Sequence, residues 1–247
     1  MKKYSFYLSV VAVVFFCSTT WAQTVTKVNP FNKVIISPHI QVTFVEGSEE
    51  SVTVESNLVS ADKLNIEVKG KTLRIYLDSA KEWTKTKKSN NEYESRTPAY
   101  RGTVVTAVVT YKTLEELSLR GEEAFVCKSP IAGDKLRMWI YGESKVTLNE
   151  VNLDELTTTF YGESSLDIKA GSVRHQKYVA YGESKVDSYA IAGRTSKVTS
   201  YGEADFKLNV SDEIKLVAFG DAKVHYKGNP KISKGIHVGE MEIDKVD

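Results

Sequence analysis

One glycine-centred phrase returns at nearly constant intervals along the second half of the chain. It reads YGESKVTL from Tyr141, YGESSLDI from Tyr161, YGESKVDS from Tyr181 and YGEADFKL from Tyr201. The glycines of the series are Gly121, Gly142, Gly162, Gly182, Gly202 and Gly220, at spacings of 21, 20, 20, 20 and 18 residues. A fixed period of this length constrains the fold more than composition does, because each repeat must present matching surfaces to its two neighbours.

Aligning the repeats on glycine produces columns. Four places after it stand Phe125, Val146, Leu166, Val186, Phe206 and Val224; six places after stand Cys127, Leu148, Ile168, Ser188, Leu208 and Tyr226. The residues between are mostly polar: Thr147, Asp167, Asp187, Lys207 and His225, with Val126 the exception. Alternation with period two marks a strand with one buried face. The stretch before each glycine alternates as well. Leu136, Met138 and Ile140 share one face, followed a repeat later by Leu156, Thr158 and Phe160. The middle repeats are less apolar there, with Gln176, Ser196 and Ser200 at positions of the same face.

A period of about twenty residues holding only strands is that of a parallel β-helix. The expected fold is therefore all-β: a right-handed parallel β-helix (solenoid) of about 20-residue rungs with capping strands, the hand following the usual sense of parallel crossovers. About six rungs are expected, one per glycine. The glycines read as structural corners where φ must be positive, a conformation open to glycine and costly to other residues.

The amino terminus reads as an export signal. MKK, an apolar run from Tyr7 to Phe16 and then CSTTWAQ form a basic start, a short apolar stretch and small residues before a cut after Ala22. The run is too short to span a membrane, which needs about twenty apolar residues. Cys17 raises a lipidated alternative, opposed by the bulky Phe16 before it. The domain reading is residues 1–22 as signal peptide and 23–247 as a single β-helix domain. Within it, 79–101 (SAKEWTKTKKSNNEYESRTPAYR) is a long polar loop, and 228–247 is a C-terminal cap. The segment from Phe31 to Leu77 is also strand-like, with a hairpin turning at Gly70 and Lys71; its strands are the expected cover for the other end, since bare edges recruit foreign strands.

Without residues 1–22 the chain carries 31 basic against 32 acidic residues. A near-neutral balance offers no bulk charge to steer it onto nucleic acid. Only Cys127 remains after that cut, so no intramolecular disulfide forms. The four histidines, His39, His175, His225 and His237, lack metal-ligand spacing, and no nucleophile–base set is announced, so no catalytic residue is assigned.

The start PFNKVIISPHIQVTFVEGSEESVTVES, the repeated phrase and the ending VHYKGNPKI resemble the putative auto-transporter adhesin head domain, the GIN domain, from about Phe31 to Ile232. The resemblance implies an exported all-β solenoid, found mostly in Bacteroidetes-type bacteria, with no catalytic residues to transfer. One departure is the glutamate after five of the six glycines (aspartate after Gly220), where the family more usually has a small residue.

Two columns are candidates for binding. The first is an aromatic strip of Tyr141, Tyr161, Tyr181, Tyr201 and Phe219, with Trp139 on the same face; it serves either to brace neighbouring rungs or to meet a sugar or a protein surface. The second is acidic: Glu122, Glu143, Glu163, Glu183, Glu203 and Asp221. In-register stacking puts these carboxylates about 5 Å apart. Their repulsion needs relief, either from Lys145, Lys185 and Lys223 or from bound Ca²⁺ at Glu143, Glu163, Glu183 and Glu203. The resulting expectation is a non-enzymatic cell-envelope or secreted scaffold, adhesin-like by resemblance, binding glycan or protein surfaces, with homo-oligomers open. Two alternatives stand beside it. A carbohydrate-active β-helix enzyme requires an acidic cleft near the 79–101 loop; a purely structural envelope protein requires no ligand.

Overall fold

The computed structural model describes residues 24–80 and 99–246. The expected signal peptide and most of the 79–101 loop fall outside the described residues. The amino-terminal part contributes β1 (Thr24–Lys27), β2 (Lys33–Ile36), β3 (Ile40–Glu46), β4 (Ser51–Asn57), β5 (Leu64–Lys69), β6 (Thr72–Leu77) and β7 (Val105–Tyr111). The repeat region contributes β8 (Glu116–Gly121), β9 (Ala124–Cys127), β10 (Ile131–Gly142), β11 (Lys145–Leu148), β12 (Val151–Tyr161) and β13 (Ser164–Ile168). It ends with β14 (Gly171–Tyr181), β15 (Ser184–Tyr201), β16 (Ala204–Phe219), β17 (Ala222–Lys227), β18 (Lys231–Val238) and β19 (Met241–Lys245).

These strands form a parallel β-solenoid of about six turns with rungs of roughly 20 residues. Two columns of parallel pairing run along it. The first, made of the segments before the glycines, is β6, β2, β8, β10, β12, β14, the second half of β15, the second half of β16, and β18. The second is β7, β3, β9, β11, β13, the first half of β15, the first half of β16, β17 and β19. The alternation seen in sequence becomes inward and outward faces. Phe125, Val146, Leu166, Val186, Phe206 and Val224 pile up inside, as do Leu136, Met138, Ile140, Leu156 and Phe160. Each such side chain removed from water contributes roughly 1.5–3 kcal/mol.

The less apolar middle repeats keep the register and carry polar groups into the core. Thr158, Gln176, Ser188, Ser196 and Ser200 are all buried. Tyr178 donates its hydroxyl to Gln176 Oε1 at 3.1 Å. Room for that glutamine comes from Gly193, where a β-carbon would lie 2.2 Å from Gln176 Nε2.

The segment expected as cover at the amino-terminal end supplies rungs as well as cover. β2 and β3 are rungs rather than cover, and their level lies between the β6–β7 level and the β8–β9 level. Both faces of pairing are filled because Val34, Ile36, Ile40, Val42 and Phe44 point into a core that continues above and below them. The cover at this end is antiparallel: β5 on β6, β4 on β7, and β1 on β4. The segment expected as a C-terminal cap is one more parallel rung, β18 on β16 and β19 on β17. A register shift between Leu216 and Ala218 places Lys234 opposite buried Leu216 and His237 opposite buried Ala218. A charged lysine and a polar imidazole where apolar groups would continue the core, together with a bulge, blunt an exposed edge.

Candidate binding face

The corners come first, because they set the register of everything displayed beside them. The six repeat glycines have φ between 88° and 125°, and Gly239, at 107°, extends the series by one turn. Positive φ is only half of the reason for glycine. A β-carbon on Gly162 would stand 2.6 Å from the carbonyl oxygen of Gly142, and one on Gly182 would stand 2.8 Å from that of Gly162. The corners stack so closely that hydrogen is the only side chain that fits. The serine of the GES phrase completes the turn: Ser144 donates to the carbonyl oxygen of Gly121 and Ser164 to that of Gly142, both at 2.9 Å. This serine column went unassigned in the sequence reading, although its sequence signal is the invariable offset from glycine in three repeats. In the first repeat Glu123 takes the place. Its buried carboxylate accepts the Glu122 N–H at 2.9 Å, and burial pushes the carboxyl above its usual range.

The tyrosines preceding the glycines form a continuous ladder. Ring centres are 4.9 Å apart for Tyr141–Tyr161, 5.1 Å for Tyr161–Tyr181, 4.9 Å for Tyr181–Tyr201 and 5.2 Å for Tyr201–Phe219, with interplanar angles of 4–8°. The Arg120 guanidinium sits 5.3 Å from the Tyr141 ring centre and closes one end. Rings stacked in this way cover one another's faces. What reaches solvent is edges and hydroxyls, even though Tyr181 and Tyr201 are each 41% exposed. The ladder therefore braces successive rungs and offers a ligand the electropositive ring edge, not the flat surface on which a sugar stacks.

Trp139 lies on the same outward face, two residues before Tyr141, in register with Ser118 below and Thr159 above. It is half-buried, and among the described residues no other aromatic ring covers it. Beside it runs a column that sequence reading did not single out. Arg137, Thr157, Lys177, Lys197 and Lys215 are consecutive register partners. Lys215 pairs with Glu213 at 3.2 Å. Among the described residues, Arg137, Lys177 and Lys197 have no carboxylate within ion-pair distance. Ammonium groups one rung apart repel by about 1 kcal/mol in a water-like dielectric. The opposite strand column is treated differently: Lys207 pairs with Asp187 and Lys223 with Glu242, each at 3.6 Å.

The acidic column after the glycines is exposed on the corner. The lysines expected to interleave do so only in part. Lys223 meets Glu242, while Lys145 and Lys185 form no ion pair among the described residues. No three acidic, histidine or cysteine side chains among the described residues converge as ligands for a metal ion. A shallow groove of about 350 Å³ runs beside the later carboxylates, lined by Glu183, Glu203, Asp221, Glu240 and Glu242 together with Lys185.

The displaced titrations belong to the interior. Burial pushes the Cys127 thiol up to about 12 and raises the phenols of Tyr111 and Tyr178 above their usual range. Near the loop, a pocket of about 340 Å³ contains Glu67 and Asp78. Both carboxylates are engaged, Glu67 by Lys69 at 2.8 Å and Asp78 by the amide of Asn65 at 2.8 Å. No helix among the described residues is long and apolar enough to cross a membrane.

Comparison with known proteins adds the following. A family model described as putative auto-transporter adhesin, head GIN domain, matches residues 30–230. The crystal structure of a putative adhesin from Bacteroides fragilis superposes with a TM-score of 0.75 at 18% identity, covering 93% of this chain and 98% of that one. A putative lipid binding protein from Parabacteroides distasonis gives 0.65 at 21% identity, over 92% and 96%. A putative adhesin from Parabacteroides merdae gives 0.64 at 17%, again over 92% and 96%. At these identities the likeness is one of fold. No curated protein matches the chain significantly.

Proposed function

The chain belongs to the family of the putative auto-transporter adhesin, head GIN domain, and from that premise we propose that it is an exported, non-enzymatic binding scaffold acting at or beyond the cell envelope. The ligand surface is the outward face of the long-strand column, from the tyrosine ladder across to the Arg137–Lys215 column. One observation carries this reading: in-register stacking repeats outward positions at every rung, about 4.8 Å apart, with an aromatic ring at five successive rungs and lysines at three. A ligand with its own repeat is met many times, and weak contacts add into avidity. The perturbed groups support a scaffold rather than a catalyst. Tyr111, Cys127 and Tyr178 are raised by burial in the core, and Glu67 and Asp78 are held by neighbours. The exported location follows the family and the reading of residues 1–22.

The test is adhesion. Beads coated with the purified full chain are flowed over arrays of neutral glycans, anionic glycans and extracellular proteins. Retention on at least one surface, well above that of albumin-coated beads, is the expected result. Absence of retention on every surface would overturn the binding role and leave an architectural one.

A further inference from the structure

We propose that the Arg137–Thr157–Lys177–Lys197–Lys215 column is a track for a linear anionic polysaccharide, laid along the solenoid axis, with Trp139 as its sugar-stacking ring. The inference rests on the binding role proposed above and names its ligand class. Three observations carry it.

The first is charge. Lys177 and Lys197 are direct register partners, and Lys215 follows on the next rung. Like charges at strand spacing oppose folding unless something relieves them. At some other places on the solenoid the relief comes from within, as in the Lys207–Asp187 and Arg174–Asp154 pairs. Lys145 and Lys185, which also form no ion pair among the described residues, have no cation as register partner. Here Arg137, Lys177 and Lys197 form no ion pair among the described residues. Although Glu116 is the register partner of Arg137 on the preceding turn, Lys177 and Lys197 face only each other, Thr157 and Lys215 along the column, an arrangement that fits an external polyanion.

The second is shape. The column is straight, because parallel rungs stack in register without a shift from Lys135 to Tyr201 on this side. A bound chain running along it meets a cation at each rung or every second rung. Two rungs span about 10 Å, comparable to the repeat of a disaccharide bearing one carboxylate or sulfate.

The third is the neighbouring column. It reads Trp139, Thr159, Val179, Thr199 and Val217, so that the indole lies beside Arg137 and a hydroxyl beside Lys197, and hydroxyl and indole groups are the usual partners of sugar hydroxyls and sugar ring faces. Unlike the tyrosines, Trp139 keeps a ring face uncovered by other rings. The acidic corner lies on the far side of the tyrosine ladder, so it confines an anionic chain to this track.

The experiment measures binding of the full chain to immobilised heparin (sulfated), hyaluronan (carboxylated), dextran (neutral) and polyglutamate (anionic, no sugar), across a salt series. Binding to one or both anionic polysaccharides and not to dextran is expected; binding to hyaluronan shows that carboxylates suffice, and binding to heparin alone, which carries carboxylates too, shows that sulfate or its denser charge is required. The triple variant Lys177→Gln, Lys197→Gln, Lys215→Gln should weaken binding by about tenfold or more and flatten its salt dependence, since fewer counterions are displaced. The control Lys145→Gln, Lys185→Gln, Lys223→Gln, on the other strand column, should bind as wild type does. Trp139→Ala should weaken polysaccharide binding. Melting temperatures near wild type certify that the variants fold. Equal loss in the control, equal affinity for polyglutamate or dextran, or no binding to either anionic polysaccharide would overturn the track. If bead adhesion persists while the polysaccharides are ignored, the scaffold reading survives and the track alone fails.

Discussion

The hydroxyl of Ser164 donates to the carbonyl oxygen of Gly142 at 2.9 Å, and that same oxygen stands 2.6 Å from where a β-carbon on Gly162 would lie. One atom thus explains two letters of the repeated phrase. The glycine is needed because the turn below comes too close, and the serine because that turn's carbonyl would otherwise lose a buried partner. The phrase is a corner that must stack on a copy of itself.

Gly162→Ala should therefore cost about 3 kcal/mol or more, combining strain at a φ of 115° with a contact against backbone. Gly70→Asn is the control, since φ there is 62° and nothing lies within 4 Å of the added carbon; its cost should stay below about 1 kcal/mol. Denaturant titration of both measures the difference. Equal effects would remove the stacking half of the explanation.

The serine column predicts unequal losses from equal chemistry. Ser164→Ala removes a buried hydrogen bond and should cost about 1 kcal/mol. Ser184 is equally buried but its hydroxyl has no partner among the described residues, so Ser184→Ala should be neutral or slightly stabilising. The next repeat already carries Ala204 at this place.

In the tyrosine ladder, Tyr181→Phe should leave stability within about 0.5 kcal/mol, because stacking survives and only an exposed hydroxyl is lost. Tyr181→Ser removes contacts with Tyr161 and Tyr201 and should cost about 1–2 kcal/mol; Phe219→Ser, stacked on one side only, should cost about half of that. Melting curves of the three variants rank them. Equal losses for Tyr181→Ser and Phe219→Ser would show that stacking is not what braces the rungs.

Alkaline stability reports the buried thiol. An unfolded cysteine ionises near 9, whereas Cys127 in the fold stays neutral to about 12. The folded value is the higher one, so its stabilisation is complete below pH 9 and is lost as pH rises from 9 to 12, by about 1.4 kcal/mol per unit. Tyr111 and Tyr178, also raised, add to the fall from about pH 10 upward. Cys127→Ala should flatten the part of the curve just above pH 9, measured by urea midpoint against pH. An unchanged slope there would mean the thiol ionises as readily folded as unfolded.

At the carboxyl-terminal edge, Lys234→Val with His237→Val would put apolar side chains opposite Leu216 and Ala218 and extend the core to an open end. The expected result is concentration-dependent end-to-end association in light scattering, with wild type unaffected. A variant that stays monomeric at every concentration would show that these polar side chains do not guard the edge.

How much of this was legible beforehand depends on how local each feature is. The period, the alternation about each glycine and the corner glycines are properties of neighbouring residues, and Phe125, Val146 and Leu166 could be placed in one interior column by counting alone. The N-terminal levels could not be ordered by counting. β2 and β3 carry the same alternation whether they lie at the end of the stack or inside it, and only pairing with β8 and β9 puts them between two other rungs. The tyrosine strip and its two possible uses were visible, but whether its rings would lie face to face stayed open, since that depends on side-chain rotation rather than on spacing.

The chain's sequence by itself determined a parallel solenoid with stacked glycine corners, because a twenty-residue period fixes which residues repeat and period-two alternation fixes which of them turn inward. The tertiary structure alone decided which outward residues become neighbours. Lys177 and Lys197 are twenty positions apart and look unremarkable in a charged, nearly neutral chain. They become a row of unpaired cations only when pairing across strands sets one directly above the other. Register is settled by backbone hydrogen bonds and core packing between turns, and neither is written in any single repeat.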